Sequence, residues 1–401
     1  MSGTEKGGGA ISVRSAIGVT GRPSVGTFGM RARYPVARTT SLGPVSATED
    51  ELLEAARQGD EAAYGDLVGP RRAELHAHCY RMLGSVHDAE DALQDTLLRA
   101  WRGLPRFEGR SSVRSWLYRI ATNTCIDALA RRPARMLPLD HSPASDAHDG
   151  PGTPLVESIW IEPYPDERLG RGGLLGEPEA RYAMRESVEL AFIAALQHLP
   201  PRQRAVLILR EVLGFSAAEV AEELDTTAAS VNSALQRARA AIDDRLPDES
   251  QQAVARALGD DQLREIVDRY VEAWERGDVD AVVGMLADDV VVTMPPMPTW
   301  YRGRDQARVF LAEWAFARRW AQERERFEEG VRDVRLVRTS ANGQPALAAY
   351  NRRPEDGRFR PYALQVLSLR GDRISQIDGF VIPAHFALFG LPDVLDAPLA
   401  S

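Results

Sequence analysis

Two neighbouring clusters of side chains have types and spacing that suggest chemistry. In Asp88–Trp101, carboxylates recur at Asp88, Asp91 and Asp95, with Glu90 and Gln94 between them. At i, i+3 and i+7 the aspartates share one face of a helix. Ala89, Leu93, Leu97 and Ala100 form an apolar stripe beside it. Acids in a first turn suit the helix dipole, which accounts for Asp88 and Glu90 but not for Asp95, two turns in. The pattern is an acidic ridge suited to a basic partner surface. The second cluster lies between Phe107 and Asp127. Ser111 or Ser112 can cap a helix that buries Leu117, Ile120, Ala121, Thr124 and Ala128. Its other side carries Arg114, Arg119 and Asn123, with Trp116 and Tyr118 nearby. Guanidinium groups for phosphates, rings for stacking and an amide for a base edge are what gripping an unpaired strand requires. Taken singly, Phe107 and Trp116 are equally explained as packed core aromatics.

Charge separates the two clusters. Glu49–Asp95 carries 12 acids and 4 arginines; Thr96–Arg132 carries 2 acids and 8 arginines. Solvated helix faces commonly carry charge runs, but segregation this sharp in one small helical unit points to two different partners. Lys6 is the only lysine among 49 basic residues, so nearly every cation is a planar fork suited to phosphate and base edges.

A third candidate lies further on. Glu189–Leu199 and Gln203–Leu213 read as helices, with Gly214 as a stop. Ser216-Ala-Ala-Glu219 is a capping-box pattern opening a short helix to Leu224. Asp225-Thr226-Thr227 makes a turn and a new cap, and Ser230–Leu246 buries Val231, Leu235, Ala238 and Ile242. Short helix, tight turn and second helix describe a helix-turn-helix. Thr227, Ser230, Asn232, Ser233, Gln236, Arg237 and Arg239 are the residues to meet a major groove, where Arg suits guanine and Asn or Gln adenine. An ordinary helical hairpin with a solvated face is the alternative.

These elements sit in a chain of 401 residues, 44% hydrophobic and 27% charged, which is ordinary for several soluble domains. No run approaches a membrane span, and no secretory signal core opens the chain. Two cysteines, Cys79 and Cys125, cannot build a disulfide framework or a four-cysteine zinc site. We expect a cytoplasmic protein with no metal and no cofactor. The net charge of −9 taken alone argues against a nucleic-acid binder, but it averages opposed segments. Residues 1–48, with six basic residues and one acid, are expected to be a disordered tail; a start-site artefact with Met30 as the start would also explain them. Residues 49–133 form the first helical domain. Residues 134–180 are a Pro- and Gly-rich linker, within which Trp160-Ile-Glu-Pro-Tyr-Pro165 is least loop-like. Residues 181–247 form the second helical domain. Residues 255–395 follow, with helices over Asp261–Arg276, Asp280–Leu286 and Asp305–Phe316. Strands are expected over Val290–Met294, Val334–Val337, Leu347–Asn351, Tyr362–Leu369 and Ile374–Val381, with a hairpin turn at Arg370-Gly-Asp-Arg373. That is an α+β half-barrel.

The first domain resembles region 2 of the sigma-70-family RNA polymerase sigma factors, in their extracytoplasmic-function group. The match runs from Tyr64 through Tyr80-Arg-Met-Leu-Gly84, the Asp88–Trp101 helix, Phe107–Arg110 and Trp116–Arg132. Leu199-Pro-Pro-Arg-Gln-Arg-Ala-Val206 and Val231-Asn-Ser-Ala-Leu-Gln-Arg-Ala-Arg239 resemble region 4 of the same family. The last third, with Ala273-Trp-Glu-Arg-Gly-Asp278 and Trp300-Tyr-Arg-Gly303, is similar to the SnoaL-like fold. The resemblance implies two all-α sigma domains, a region 2 helical bundle and a region 4 helix-turn-helix, followed by an α+β SnoaL-like cone-shaped half-barrel. It implies that Asp88, Glu90, Asp91, Gln94 and Asp95 dock on the β′ clamp of core RNA polymerase, with region 4 at the β flap. Phe107, Arg110, Arg114, Trp116, Arg119, Thr122 and Asn123 would melt and read the −10 element, and the helix-turn-helix would read the −35 element. The linker threads through the polymerase in that group.

The SnoaL-like fold holds a cone-shaped pocket, which Met294, Met297, Trp300, Tyr301, Trp314, Tyr350 and Phe380 could line. Asp289, Asp378 or His385 could serve as acid or base, but the sequence positions no pair. Fold does not imply function, and the resemblance implies a regulatory module. The expectation is an alternative sigma factor, not an enzyme, whose partners are core polymerase, promoter DNA and, at the C-terminal domain, an anti-sigma factor or a small-molecule ligand. Two other readings are a stand-alone helix-turn-helix regulator using Ser216–Leu246 alone, and a DNA-binding sensor fused to a small-molecule isomerase.

Overall fold

The computed structural model describes residues 48–155, 159–169, 183–316, 334–353 and 355–396. The tail before Thr48 and the linker residues 156–158 and 170–182 lie outside them. Thr48 opens the first helix with a capping box: its hydroxyl accepts from the Glu51 N–H and its own N–H donates to the Glu51 carboxylate. The first bundle comprises α1 (Glu49–Arg57), α2 (Glu61–Val68), α3 (Arg72–Leu83), α4 (Val86–Gly103) and α5 (Val113–Leu129). Gly84, with φ 69°, ends α3, and Ser85 caps α4. The apolar stripe Ala89, Leu93, Leu97 and Ala100 is buried against α3 and α5.

The second unit comprises α6 (Leu190–Gln197), α7 (Pro201–Leu207, continuing as a π turn over Ile208–Val212), α8 (Ala217–Glu223) and α9 (Ala228–Asp243). The Ser216–Glu219 capping box and the Thr227 cap are both formed. Val231, Leu235, Ala238 and Ile242 face the core, so α8 and α9 form the helix-turn-helix.

The C-terminal unit has α10 (Gln251–Leu258), α11 (Asp260–Arg276), α12 (Val279–Gly284) and α13 (Arg304–Phe310, continuing as a π turn over Leu311–Ala315). Its strands are β1 (Leu286–Thr293), β2 (Trp300–Arg302), β3 (Val334–Ala341), β4 (Gln344–Arg352), β5 (Phe359–Arg370) and β6 (Arg373–Phe380). They form one sheet in the order β2-β1-β6-β5-β4-β3. Only the β1–β6 pairing is parallel. The three-residue β2 is too short for alternation to announce it.

Both faces of this sheet are covered. Leu347, Ala349, Ala363, Leu367 and Ile377 pack toward α11–α13. Ala346, Ala348, Tyr350, Leu364, Val366 and Phe380 join a core continuous with both helical units. The linker is pinned rather than loose. Leu137, Trp160, Ile161 and Tyr164 are buried, and Trp300 Nε1 donates to the Ser142 carbonyl at 2.7 Å.

Candidate nucleic-acid and partner interface

The acidic ridge on α4 is split by its surroundings. Asp91, Gln94 and Asp95 are exposed, and beside them Leu98 is 53% exposed, a large apolar group left bare on the same face. Asp88 is turned inward and accepts from Arg135 Nη2 at 2.6 Å and from Arg132. Glu90 pairs with Arg168 at 3.2 Å and lies 3.5 Å from His76. Burial pushes the His76 imidazole down to about 4, so that ring is neutral near pH 7.

A linker carboxylate, Glu162, caps the same helix. Glu162 Oε2 accepts the N–H groups of Val86 and His87 at 2.8 and 3.2 Å and the Ser85 hydroxyl at 3.0 Å, an anion at a helix N-terminus. Burial pushes the Glu162 carboxyl up, but Arg135 and the bonds from His87 outweigh it and hold the group below the ordinary carboxylate range. The exposed strip therefore forms one wall of a groove. Trp160 of the linker and Pro296, Ile382 and His385 of the C-terminal unit line it as well.

The residues assigned to the −10 element are also divided. Arg110 is exposed beside Glu108, and Asn123 is half-buried. Phe107 is buried and packs on Trp116 with ring centroids 4.8 Å apart. Thr122 is fully buried, with its hydroxyl 2.9 Å from His78 Nε2. Tyr118 is core rather than surface and meets Phe215, at the head of the helix-turn-helix, edge to face at 5.5 Å. Arg114 lies over the rings of both Tyr118 and Phe215, at 5.0 and 4.8 Å. Arg119 pairs with Asp225, in the turn of the helix-turn-helix, at 3.0 Å.

On α9, Thr227, Ser230, Asn232, Ser233, Gln236 and Arg237 are exposed. Arg239 is not free: it is ion-paired with the buried Glu211 on the π turn after α7.

The pocket in the C-terminal unit is lined by Met294 and Trp314, as expected, but not by Trp300, Tyr301 or Tyr350. Trp300 clamps the linker, Tyr301 stacks on Phe310, and the Tyr350 hydroxyl donates to the Pro392 carbonyl at 2.9 Å. Met297 and Phe380 are buried elsewhere. Strand alternation is the reason: Ala349 and Asn351 face the cavity, which turns Tyr350 to the far side of the sheet. None of Asp289, Asp378 and His385 lines the cavity. Asp289 is paired with Arg370 on the surface. Asp378 is buried, accepts from Thr293 Oγ1 at 2.7 Å, and is raised by burial to about 6.

One joint went unread in the sequence. Asn342 and Gly343 form the β3–β4 turn, with φ 57° and 71°, the Asn-Gly signature of a tight hairpin. The tip enters the core shared by the helical units. Asn342 Nδ2 donates to the Tyr80 hydroxyl at 2.9 Å and the Val188 carbonyl at 2.7 Å, while Oδ1 accepts from Tyr164 N–H at 2.8 Å. One side chain thus ties the first bundle, the linker and the approach to the second unit. The dipeptide could have flagged the turn, but nothing in it names these partners.

Comparisons with known proteins agree with this architecture. Residues 67–135 match the family of sigma-70 region 2, residues 189–242 that of sigma-70 region 4, and residues 267–377 the SnoaL-like domain. The extracytoplasmic-function RNA polymerase sigma factor SigG of Mycobacterium tuberculosis is 42% identical over 339 residues, covering 84% of this chain and 86% of that protein. The chain belongs to the extracytoplasmic-function sigma factors. It is an alternative sigma factor, directing transcription initiation, with a SnoaL-like C-terminal domain. SigW of Bacillus subtilis is 27% identical over 198 residues, 49% of this chain and 95% of SigW. The crystal structure of Mycobacterium tuberculosis SigJ, at 22% identity, shares the fold over 82% of this chain and 99% of its own, with a TM-score of 0.50. No helix among the described residues of this sigma factor is long and apolar enough to cross a membrane.

Proposed function

We propose that this sigma factor docks on the core polymerase clamp through Asp91, Gln94, Asp95 and Leu98, and that the described arrangement is its closed form. The carrying observation is the exposed strip on α4, acidic with one bare leucine, beside a basic α5 whose reading side is held by the helix-turn-helix. In the open form, Arg114, Trp116, Arg119 and Asn123 on α5, with Arg110 before it, would face the −10 element. Ser230, Asn232, Ser233, Gln236 and Arg237 on α9 would face the −35 element. Asp88 and Glu90 hold the linker, and Arg239 holds α9 to its own domain. RNA synthesis stays with the polymerase; this chain supplies recognition, in the cytoplasm. The SnoaL-like domain regulates by gripping the linker and walling the docking groove.

The test is run-off transcription with core polymerase, together with core affinity of the Asp91→Arg, Asp95→Arg double variant. Each reversed contact is expected to cost on the order of 1–3 kcal/mol, about five- to 150-fold in core affinity, with melting temperature unchanged. Unchanged core affinity would remove the assignment of this face.

A further inference from the structure

Trp314 belongs to two structures at once. Its ring lines a cavity of about 330 Å³ between the sheet, α11 and α13. Its indole N–H donates to the linker carbonyl of Ala147 at 2.8 Å. Gly150 of the linker lies so close to the same ring that a β-carbon there would sit 2.5 Å from Cζ2. The neighbouring turns add two more ties: Gln306 Oε1 accepts from the Ala147 N–H at 2.6 Å, and Glu313 lies 3.2 Å from His148 Nδ1. Trp314 stands in the π turn after α13, an insertion that often marks functional positions in helices. The wall of the cavity is therefore also the anchor of the linker.

The lining indicates what the cavity takes. Trp274, Phe310 and Tyr362 supply flat aromatic walls, and Ala349, Ala363 and Gly379 leave room between them. Its volume lies at the small end of the range for small-molecule sites. The polar groups are mostly donors. Gln365 Oε1 already accepts from the Tyr270 hydroxyl at 3.1 Å, which leaves its amide nitrogen to donate to a guest. Asn351, Arg352 and Arg353 also line it, with Glu355 the one acid of the lining among the described residues. Arg352 Nε is engaged by the Gly357 carbonyl, which fixes the guanidinium with its remaining N–H groups available.

We propose that this cavity is a sensing site for a flat, largely apolar aromatic carboxylate, and that Trp314 passes its occupancy to the linker. The second half rests on the closed-form reading above; the first half does not.

The experiment titrates the full chain with 2-naphthoate, followed by calorimetry and by quenching of tryptophan emission. One saturable site is expected, with 2-naphthalenemethanol binding about tenfold more weakly or worse. Ala349→Trp, which fills the cavity, should weaken 2-naphthoate about tenfold or more; if that variant does not fold, Arg352→Ser with Arg353→Ser should do the same. No binding at millimolar probe, or affinity unmoved in the folded variants, would overturn the site. Equal affinity for the uncharged alcohol would overturn the carboxylate. In hydrogen exchange, saturating 2-naphthoate should change protection at linker residues 136–155 in the native protein. In Trp314→Phe, saturated at its own measured affinity, that change should be absent; if that variant loses the site, Gln306→Ala, outside the lining, should reduce the change instead. A linker indifferent to 2-naphthoate in the native protein would overturn the transmission while leaving the closed form, tested by core affinity, to stand or fall separately.

Discussion

The two helices proposed to read DNA meet opposite fates in the same molecule. On α9, six of the seven candidate side chains reach solvent, and only Arg239 is drawn inward, to Glu211. On α5 and the turn before it, Thr122 is fully buried, Phe107 is packed under Trp116, and Arg114 and Arg119 lie against Phe215 and Asp225 of the helix-turn-helix unit. A strand-gripping surface of arginines and aromatics would attract any nucleic acid. On the proposed reading, covering α5 while α9 stays bare would hold strand gripping back until the polymerase is bound.

The largest test of that contrast is at Asn342. Its side chain is fully buried and makes three hydrogen bonds, to Tyr80, Val188 and Tyr164, at a positive φ that few residues tolerate. Asn342→Ala strands these partners and strains the turn, and should cost roughly 2–5 kcal/mol. The expected readouts are a lowered melting temperature and faster hydrogen exchange in the linker and on α5, with the exposed end of α9 unchanged. Equal deprotection of α5 and α9 would mean that the hairpin tip does not hold one reading face in particular.

A smaller effect is expected from Glu223, on the face of α8 that meets α5. Both carboxylate oxygens are buried without a hydrogen bond. Burial raises the group to about 8, helped by Glu219 and Glu222 and opposed by Arg114 and Arg119 of α5. A carboxyl raised by packing favours the packed state fully below its ordinary value, and that advantage is lost as pH rises toward about 8. The melting temperature of the native chain should therefore fall between pH 5 and pH 8 more than that of Glu223→Gln. Parallel pH profiles would show that Glu223 is not desolvated by the α5–α8 contact.

How much of this was visible beforehand depended on whether a residue's partner was local. Helix periods, caps and the helix-turn-helix were legible because their determinants lie within a few residues, as with Ser216 and Glu219 or Thr227 and Ser230. The exposed half of the acidic ridge followed from the same periodicity. Asp88 shares that periodicity with Asp91, and Glu90 lies between them, yet their partners Arg135 and Arg168 lie in a linker whose composition reads as loop. The pocket assignments failed at Tyr350 for a related reason. A sheet buried on both faces has apolar residues at consecutive positions of β4, from Pro345 to Tyr350, so alternation shows that two faces exist but not which one meets the cavity. The packing of the first bundle on the helix-turn-helix left no trace in either segment, since Arg119 and Asp225 are both ordinary surface residues by pattern.

That pair sharpens the comparison most finely. Arg119 and Asp225 lie 3.0 Å apart with side chains 40% and 80% exposed, so solvent screens most of their attraction, and the bond is worth at most about 1 kcal/mol. Asp225→Ala should barely move the melting temperature. If the pair does lock α5, however, even that sum shifts the closed-to-open ratio by up to about fivefold. The shift should appear as tighter binding to a single-stranded −10 oligonucleotide when core polymerase is present. Arg119→Ala removes the same bond but also a candidate DNA contact, so it should weaken binding instead. The double variant separates the two roles: with Arg119 gone, removing Asp225 should have no further effect. If Asp225→Ala still strengthens binding in the Arg119→Ala background, the aspartate acts by repelling DNA rather than by holding α5, and the latch is carried by Phe215 and Tyr118 alone.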